Sequence, residues 1–401
     1  MISKIKQAVI LAGGMGTRLR PITDTLPKPM IPMNGKPFLE HLIKMLKENS
    51  IEEVVLLLGY LPQKVQEHFG DGSKFGLKIR YSIGDVSFET GKRLKDAEEI
   101  VNQNFLLLYC DNYWPLNLGK LLAYHNARNV KATVTLYTNK DNFSKSNMRL
   151  DDQGYVTLYD KTRQEKNLSG VEIGFYVFSK DIFSMMPKTN FSFEKEILPQ
   201  LIAKKQLAGY PTDHRYYSVG SLERLPVTED FLKQKKVVFL DRDGVINRKA
   251  PKADYIKTWK EFQFLPGSLE AMRRLTENGY ELYLISNQAS IARRIMTEED
   301  LTEIHQNMIR VLEENGIRLK KIYYCPHGWN DGCECRKPKP GMFYQAGKEN
   351  NLNLSKAVFI GDDERDELAG EAAGIKTFLV TPEKSLLNVV NEIIPPQNNL
   401  G

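Results

Sequence analysis

"LKQKKVVFLDRDGVIN", residues 232–247, is the stretch that decides the fold. A short basic link gives way at Val237 to an apolar β-branched and aromatic run, which stops abruptly at two aspartates and a glycine. An apolar run of this length between polar boundaries predicts a buried strand. It is a restart, because a full series of alternations already lies upstream. The runs "AVILA" (8–12), "EEVVLLLGY" (52–60), "LKIRYS" (77–82), "NFLLLYCD" (104–111), "KATVTLY" (131–137) and "VEIGFYVFS" (171–179) are interleaved with helical periodicity at 36–49, 62–69 and 192–205. Downstream the alternation repeats with "YELYLISN" (280–287), "KIYYCP" (321–326), "AVFIGDD" (357–363) and "KTFLV" (376–380), and helices are expected near 297–315, 341–350 and 364–373. Strands alternating with helices predict an α/β fold of mostly parallel sheet. We therefore expect two open-sheet α/β domains, 1–232 and 233–401, each with its ligand site at the carboxyl ends of its strands.

Bulk properties agree. A chain of 401 residues exceeds what one core usually supports. It is 41% hydrophobic and 26% charged, without low-complexity tracts, as in ordinary globular proteins. "AVILA" is too short for a signal-peptide core and no apolar run is long enough to span a bilayer, so a cytoplasmic location is expected. The net charge of +6 is mild and spread among acids, so anionic small molecules explain it as well as nucleic acid would; small-molecule substrates are expected, without nucleic acid or membrane partners. A homo-oligomer is compatible with this composition. Four cysteines in such a chain point to metal binding or catalysis over a disulfide framework.

"LAGGMGTRLRP" (11–21) follows the first strand. Gly13, Gly14 and Gly16 let backbone N–H groups approach phosphate oxygens, and Arg18 and Arg20 add positive charge. The loop is neither a Walker loop nor a dinucleotide fingerprint, and on its glycines alone a tight turn is the alternative. The longer string "LAGGMGTRLRPITDTLPKPMIPMNGKPFLEHLI" (11–43) resembles the sugar-1-phosphate nucleotidyltransferase family. The resemblance implies attack of a sugar-phosphate oxygen on the α-phosphorus of a nucleoside triphosphate. Leu11, Gly13, Gly14, Gly16 and Thr17 would then contact the nucleotide, Arg18 the departing pyrophosphate, and Lys28 the phosphates of both substrates. Asp111 would bind Mg²⁺ and Lys161 the sugar phosphate. Three positions depart from the family pattern. Thr90 to Leu94 read like glucose-1-phosphate cytidylyltransferases, which puts the base in question between guanine and cytosine. Ser218 stands where a second metal-binding aspartate is common, and Glu172 replaces an asparagine that contacts the sugar.

In "VVFLDRDGVIN", Asp241 and Asp243 are two apart, a spacing that turns both carboxylates to one side if the strand persists. Two like charges so close call for a cation or a phosphoryl substrate. With Ser286, Asn287, Lys337, Asp362 and Asp363 at later strand ends and loops, the order resembles the haloacid dehalogenase superfamily. That resemblance makes Asp241 the nucleophile and Asp243 the acid–base residue. Ser286 and Lys337 would stabilise the phosphoryl group, with Asn287 and Arg336 at the substrate. Mg²⁺ would be held by Asp241, the backbone carbonyl of Asp243, and Asp362, with help from Asp363. "DRDGVIN", "SNQASIARR" and "CRKPKPGM" look like the phosphatase group for histidinol phosphate and D-glycero-D-manno-heptose 1,7-bisphosphate, in which a zinc loop replaces a large cap.

"CPHGWNDGCECRKPKPG" (325–341) supplies that loop. Cys325, His327, Cys333 and Cys335 form two close pairs of soft ligands, suited to a closed tetrahedral zinc site, with a metal-free reduced loop as the alternative. Such a zinc is structural, because it leaves no position for water.

A sugar bisphosphatase fused to a nucleotidyltransferase makes biological sense where one product feeds the other reaction. GDP-heptose synthesis is the leading expectation, with a CTP-using enzyme for another sugar or polyol phosphate next. A sensor or scaffold with an inactive transferase half is a further class, and nucleic-acid binding through the zinc loop the least favoured.

Overall fold

A computed structural model describes residues 4–251 and 254–395. By its contacts the chain divides into two compact units, Met1–Lys233 and Gln234–Gly401.

The first unit is built on seven strands: β1 (Gln7–Ala12), β2 (Glu53–Leu58), β3 (Lys78–Ile83), β4 (Asn104–Tyr109), β5 (Ala132–Tyr137), β6 (Val171–Ser179) and β7 (Leu207–Thr212), in the sheet order β7-β5-β6-β4-β1-β2-β3. β6 runs antiparallel to both neighbours, and the other pairings are parallel. Alternate residues serve opposite cores, as period-two side chains must in a sheet covered on both faces. Ala8 and Ile10 join Leu39 and Leu42, while Val9 and Leu11 join Phe105 and Leu198. The covering helices are α1 (Phe38–Glu48), α2 (Pro62–Phe69), α3 (Thr90–Asp96), α4 (Leu118–Asn126), α5 (Phe193–Ala203) and α6 (Leu225–Leu232). The segment around 139–170, whose periodicity is weak in sequence, contains a two-stranded ladder of Met148–Leu150 with Val156–Tyr159. A second short ladder pairs Asn112–Tyr113 with Tyr217–Ser218.

The second unit has five parallel strands: β8 (Lys236–Leu240), β9 (Tyr280–Asn287), β10 (Leu319–Cys325), β11 (Val358–Gly361) and β12 (Lys376–Leu379), in the order β10-β9-β8-β11-β12. β8 is central and wholly apolar inside. Val238 and Leu240 enter one core with Met272 and Leu301, and Val237 and Phe239 enter the other with Phe343 and Phe359. Its helices are α7 (Ser268–Glu277), α8 (Glu298–Glu314), α9 (Gly341–Asn350), α10 (Glu364–Ala373) and α11 (Leu386–Ile393). A capping box fixes the start of α8: Thr297 accepts from the Asp300 N–H, and Asp300 accepts in return from Thr297. Among the described residues no helix is long and apolar enough to cross a membrane.

Candidate active sites

In the first unit the glycine loop leaves β1 and bends over the carboxyl end of the sheet. Gly13 is required by close approach: a Cβ there would lie 2.4 Å from Cζ of Arg93. Arg93 is buried, and its guanidinium donates to the carbonyls of Leu58, Asp85 and Val86. The arginine of the Thr90–Leu94 segment thus supports the back of the loop.

Lys28 and Asp111 meet at the centre, with Nζ 2.5 Å from Oδ2. Burial disfavours both charges. It is the largest single influence on each, yet Lys28 is raised and Asp111 lowered, because the partner's charge, their shared hydrogen bond and further neighbours together outweigh it. Two lobes of a cleft, about 310 and 330 Å³, open around this pair. One is lined by Leu11, Gly13, Gly14, Gly16, Thr90 and Arg93; the other by Arg18, Tyr159, Glu172 and Ser218. Lys161 and Glu194 border both. Thr17 opens the short turn Thr17–Leu19 and is exposed. Ser218 sits opposite Asn112 in the short ladder, and the Val219 N–H donates to the Asp111 carbonyl, so the serine does stand next to Asp111.

Glu194 was not singled out in the sequence. It is buried at the start of α5, where its carboxylate accepts from the hydroxyls of Thr90 (2.7 Å), Ser192 (2.7 Å) and Tyr109. The Thr90 hydroxyl is thereby spent on a carboxylate. Glu172 lines the same cleft with a buried, unpartnered Oε1, and burial together with the Glu194 charge pushes its carboxyl up to about 7. No sequence signal marks Glu194, which lies 104 residues from Thr90.

In the second unit β8 delivers Asp241 to a cleft of about 650 Å³. Lys337, 2% exposed, places Nζ 2.9 Å from Asp241 Oδ1 and 2.6 Å from Asp366 Oδ1, and donates to the Ile285 carbonyl. Asp241 is pushed up to about 7 by burial, with Asp366 and Asp243 adding to the rise against the pull of Lys337. Asn287 and Lys337 exchange two backbone–side-chain hydrogen bonds of 3.1 Å, which fastens the loop to the end of β9. Ser286 is buried beside Gln288, whose amide donates to its hydroxyl.

The Asp363 carboxylate differs from the expected arrangement, and the Asp243 carboxylate, expected to serve as the acid–base group, is held by its neighbours. The Asp243 carboxylate accepts from Arg242, Asn247 and Gln288, and these partners hold its pKa low despite burial. The Asp363 carboxylate caps α10 through the Arg365 N–H and pairs with the Arg365 guanidinium. Neither carboxylate joins the cluster in which Asp241, Asp362 and Asp366 each bring an oxygen within 4.8 Å of the others. Asp366, where the sequence pointed to Asp363, is the third carboxylate of this cluster. Asp362 Oδ1 is buried without a partner, as an oxygen destined for a cation would be. Gly244, at φ +96°, lets the chain pass Asp362: a Cβ there would fall 2.1 Å from its Oδ2.

Cys325, His327, Cys333 and Cys335 also converge. Cys325 Sγ lies 3.6 Å from His327 Nδ1 and 3.7 Å from Cys333 Sγ, and His327 Nδ1 lies 3.2 Å from Cys335 Sγ. Bond lengths of about 2.3 Å to sulfur and about 2.0 Å to nitrogen give tetrahedral edges of roughly 3.5–3.8 Å. The four residues fit such an ion. Arg336 follows directly, buried, with one N–H on the His327 carbonyl and its Nε unpartnered.

A sequence profile described as nucleotidyl transferase matches residues 7–235, and one described as haloacid dehalogenase-like hydrolase matches residues 189–374. The D-glycero-beta-D-manno-heptose-1,7-bisphosphate 7-phosphatase of Pasteurella multocida is 41% identical over 159 residues, 38% of this chain and 85% of that protein. The chain belongs to both families. The nucleotidyl transferase match runs through the first α/β unit, and the hydrolase match, which overlaps it at 189–235, runs through most of the second, so this is an enzyme with a nucleotidyltransferase and a phosphatase in one polypeptide. The D-glycero-alpha-D-manno-heptose-1,7-bisphosphate 7-phosphatase of Campylobacter jejuni is 38% identical over 149 residues, 37% of this chain and 84% of that protein. Among solved structures, HddC from Yersinia pseudotuberculosis is 23% identical with a TM-score of 0.50, covers 57% of this chain and 100% of its own, and shares the fold of the transferase half.

Proposed function

We propose that the phosphatase unit hydrolyses the 7-phosphate of D-glycero-D-manno-heptose 1,7-bisphosphate and that the transferase unit joins the resulting 1-phosphate to a nucleotide from GTP. The observation that carries this reading is the Asp241–Lys337–Asp366 arrangement at the end of β8, in a unit 41% identical to a phosphatase named for that bisphosphate. The fusion adds support, since the remaining anomeric phosphate is what a sugar-1-phosphate nucleotidyltransferase consumes.

In the phosphatase, an Asp241 oxygen attacks phosphorus and the bond to the sugar oxygen breaks. Asp243 supplies the proton to that oxygen, then takes one from the water that cleaves the aspartyl phosphate. The Asp243 carboxyl is lowered by the Arg242 charge, so it takes the proton it first donates from solvent, as the negative charge of the entering phosphate favours its protonated form. Lys337 and Ser286 meet the transferring oxygens. Mg²⁺ held by Asp241, Asp362 and Asp366 would neutralise the phosphoryl charge. Zinc at Cys325, His327, Cys333 and Cys335 would fold the loop that presents Arg336 and Lys337.

In the transferase, an oxygen of the sugar phosphate attacks the α-phosphorus in line with departing pyrophosphate. Arg18 and Lys28 offset the developing charge, Lys161 and Glu172 face the sugar phosphate, and Asp111 would hold Mg²⁺. The CTP alternative came from Thr90–Leu94. The bonds of Thr90 to Glu194 and of Arg93 to backbone carbonyls support a packing role for that pattern, and GTP is taken as the first nucleotide to test. Phosphorus NMR of the enzyme with Mg²⁺, heptose 1,7-bisphosphate and either GTP or CTP tests both steps. Inorganic phosphate, pyrophosphate and a GDP-sugar are expected; failure to release phosphate from the bisphosphate would overturn the assignment.

A further inference from the structure

Trp329 is the most exposed of the large hydrophobic side chains among the described residues, at 64%, and it lines the phosphatase cleft. An indole left this open costs hydrophobic free energy unless something covers it. It is also not loose. The Arg336 guanidinium lies 4.4 Å and the Arg365 guanidinium 5.1 Å from its ring. Arg365 is fixed in turn by its two bonds to Asp363, and Arg336 by burial and the His327 carbonyl. The loop below is pinned by the Asp331 carboxylate on the Gly328 N–H, at 2.8 Å. The unpartnered, buried Nε of Arg336 indicates that a polar group is still to arrive at this end of the cleft.

We propose that Trp329 is a specificity-determining platform on which the C–H face of the substrate's sugar ring rests. One face of a pyranose presents C–H bonds with little polarity, and an electron-rich indole is the side chain best suited to meet them. The two guanidiniums hold the indole in place before substrate binds, so little ordering entropy is lost on contact. This inference rests on the proposed substrate class, a phosphorylated ring sugar.

The test compares wild type, Trp329→Ala and Trp329→Phe, with Mg²⁺, on heptose 1,7-bisphosphate and on glycerol 3-phosphate, which has no ring. Trp329→Ala is expected to raise KM for the sugar about tenfold with kcat within about twofold, Trp329→Phe to restore most of the affinity, and glycerol phosphate kinetics to stay unchanged. In Asp241→Asn protein the sugar bisphosphate should alter tryptophan emission, and the added Trp329→Phe change should abolish that response. An unaltered KM, or equal losses on both substrates, overturns the platform. If wild type prefers no sugar bisphosphate to glycerol phosphate, with fructose and glucose bisphosphates included, the substrate reading itself falls.

Discussion

Lys337 Nζ stands 2.9 Å from Asp241, at a position where the lysine is almost wholly shielded from water. With Asp366 on its other side it is the cation that keeps two buried carboxylates together. Replacing it with methionine removes that charge while keeping the volume. The phosphatase turnover of Lys337→Met is expected to fall by about 10³ or more, the range for losing a positioned charge-stabilising donor. Measuring phosphate release alongside pyrophosphate release in the same protein checks it, because the transferase rate should not change.

Asp241→Asn makes the same separation at the nucleophile. Phosphate release should vanish, and nucleotidyl transfer onto a sugar 1-phosphate should continue at the wild-type rate. Parallel loss of both activities in a folded variant would contradict two independent sites.

Glu172 gives a pH prediction whose sign is opposite to the usual acid. Its folded pKa is raised from 4.5 to about 7, so the folded protein favours the protonated form. Its burial costs nothing below the unfolded pKa, becomes destabilising as pH rises from 4.5 towards 7, and reaches its full penalty above that. Glu172→Gln keeps the neutral shape. The variant should therefore unfold at a higher temperature than wild type at pH 8, by about 2 kcal/mol of stability, and match it near pH 4. Calorimetry of the transferase transition at the two pH values decides it.

Arg93 satisfies three carbonyls with one guanidinium, and a lysine cannot reproduce that fork. Arg93→Lys and Arg93→Ala should each destabilise the transferase unit by about 2–4 kcal/mol. Gly13→Ala, which drives a methyl into the same guanidinium, should lose nucleotidyl transfer with the phosphatase unaffected. Denaturant titration with both activities followed separately provides the check.

Chelation tests the cysteine–histidine loop. After metal removal and readdition of Mg²⁺ alone, phosphatase kcat/KM should drop at least about tenfold, while transferase kinetics stay the same. Zinc should restore the loss. Cys333→Ser should reproduce the chelated behaviour.

What the sequence made legible follows the range of the signal. The two series of alternating strands, the helices near 341–350 and 364–373, and the convergence of Cys325, His327, Cys333 and Cys335 are written in local spacing. Helix α3 escaped because Thr90–Asp96 is short and polar, and its decisive contacts, Thr90 to Glu194 and Arg93 to Leu58, span distant parts of the chain. That Asp366, and not Asp363, joins the acid cluster has a local cause. Aspartate is a favoured N-cap residue, and Asp363 is used up capping α10, whereas Asp366 stands in the first turn of that helix and reaches back to Lys337.

One contact bears on how the phosphatase would behave when stripped. Lys249 Nζ lies 2.7 Å from Asp362 and 3.9 Å from Asp363, and this pairing keeps its ammonium charged in spite of burial. The acid that would take the divalent ion thus already has a counter-charge, on a side chain still half open to solvent. Emptying the site should leave a resting enzyme with its acids neutralised in place, ready to be recharged. Metal starvation would then act on this protein as a pause that leaves the fold intact.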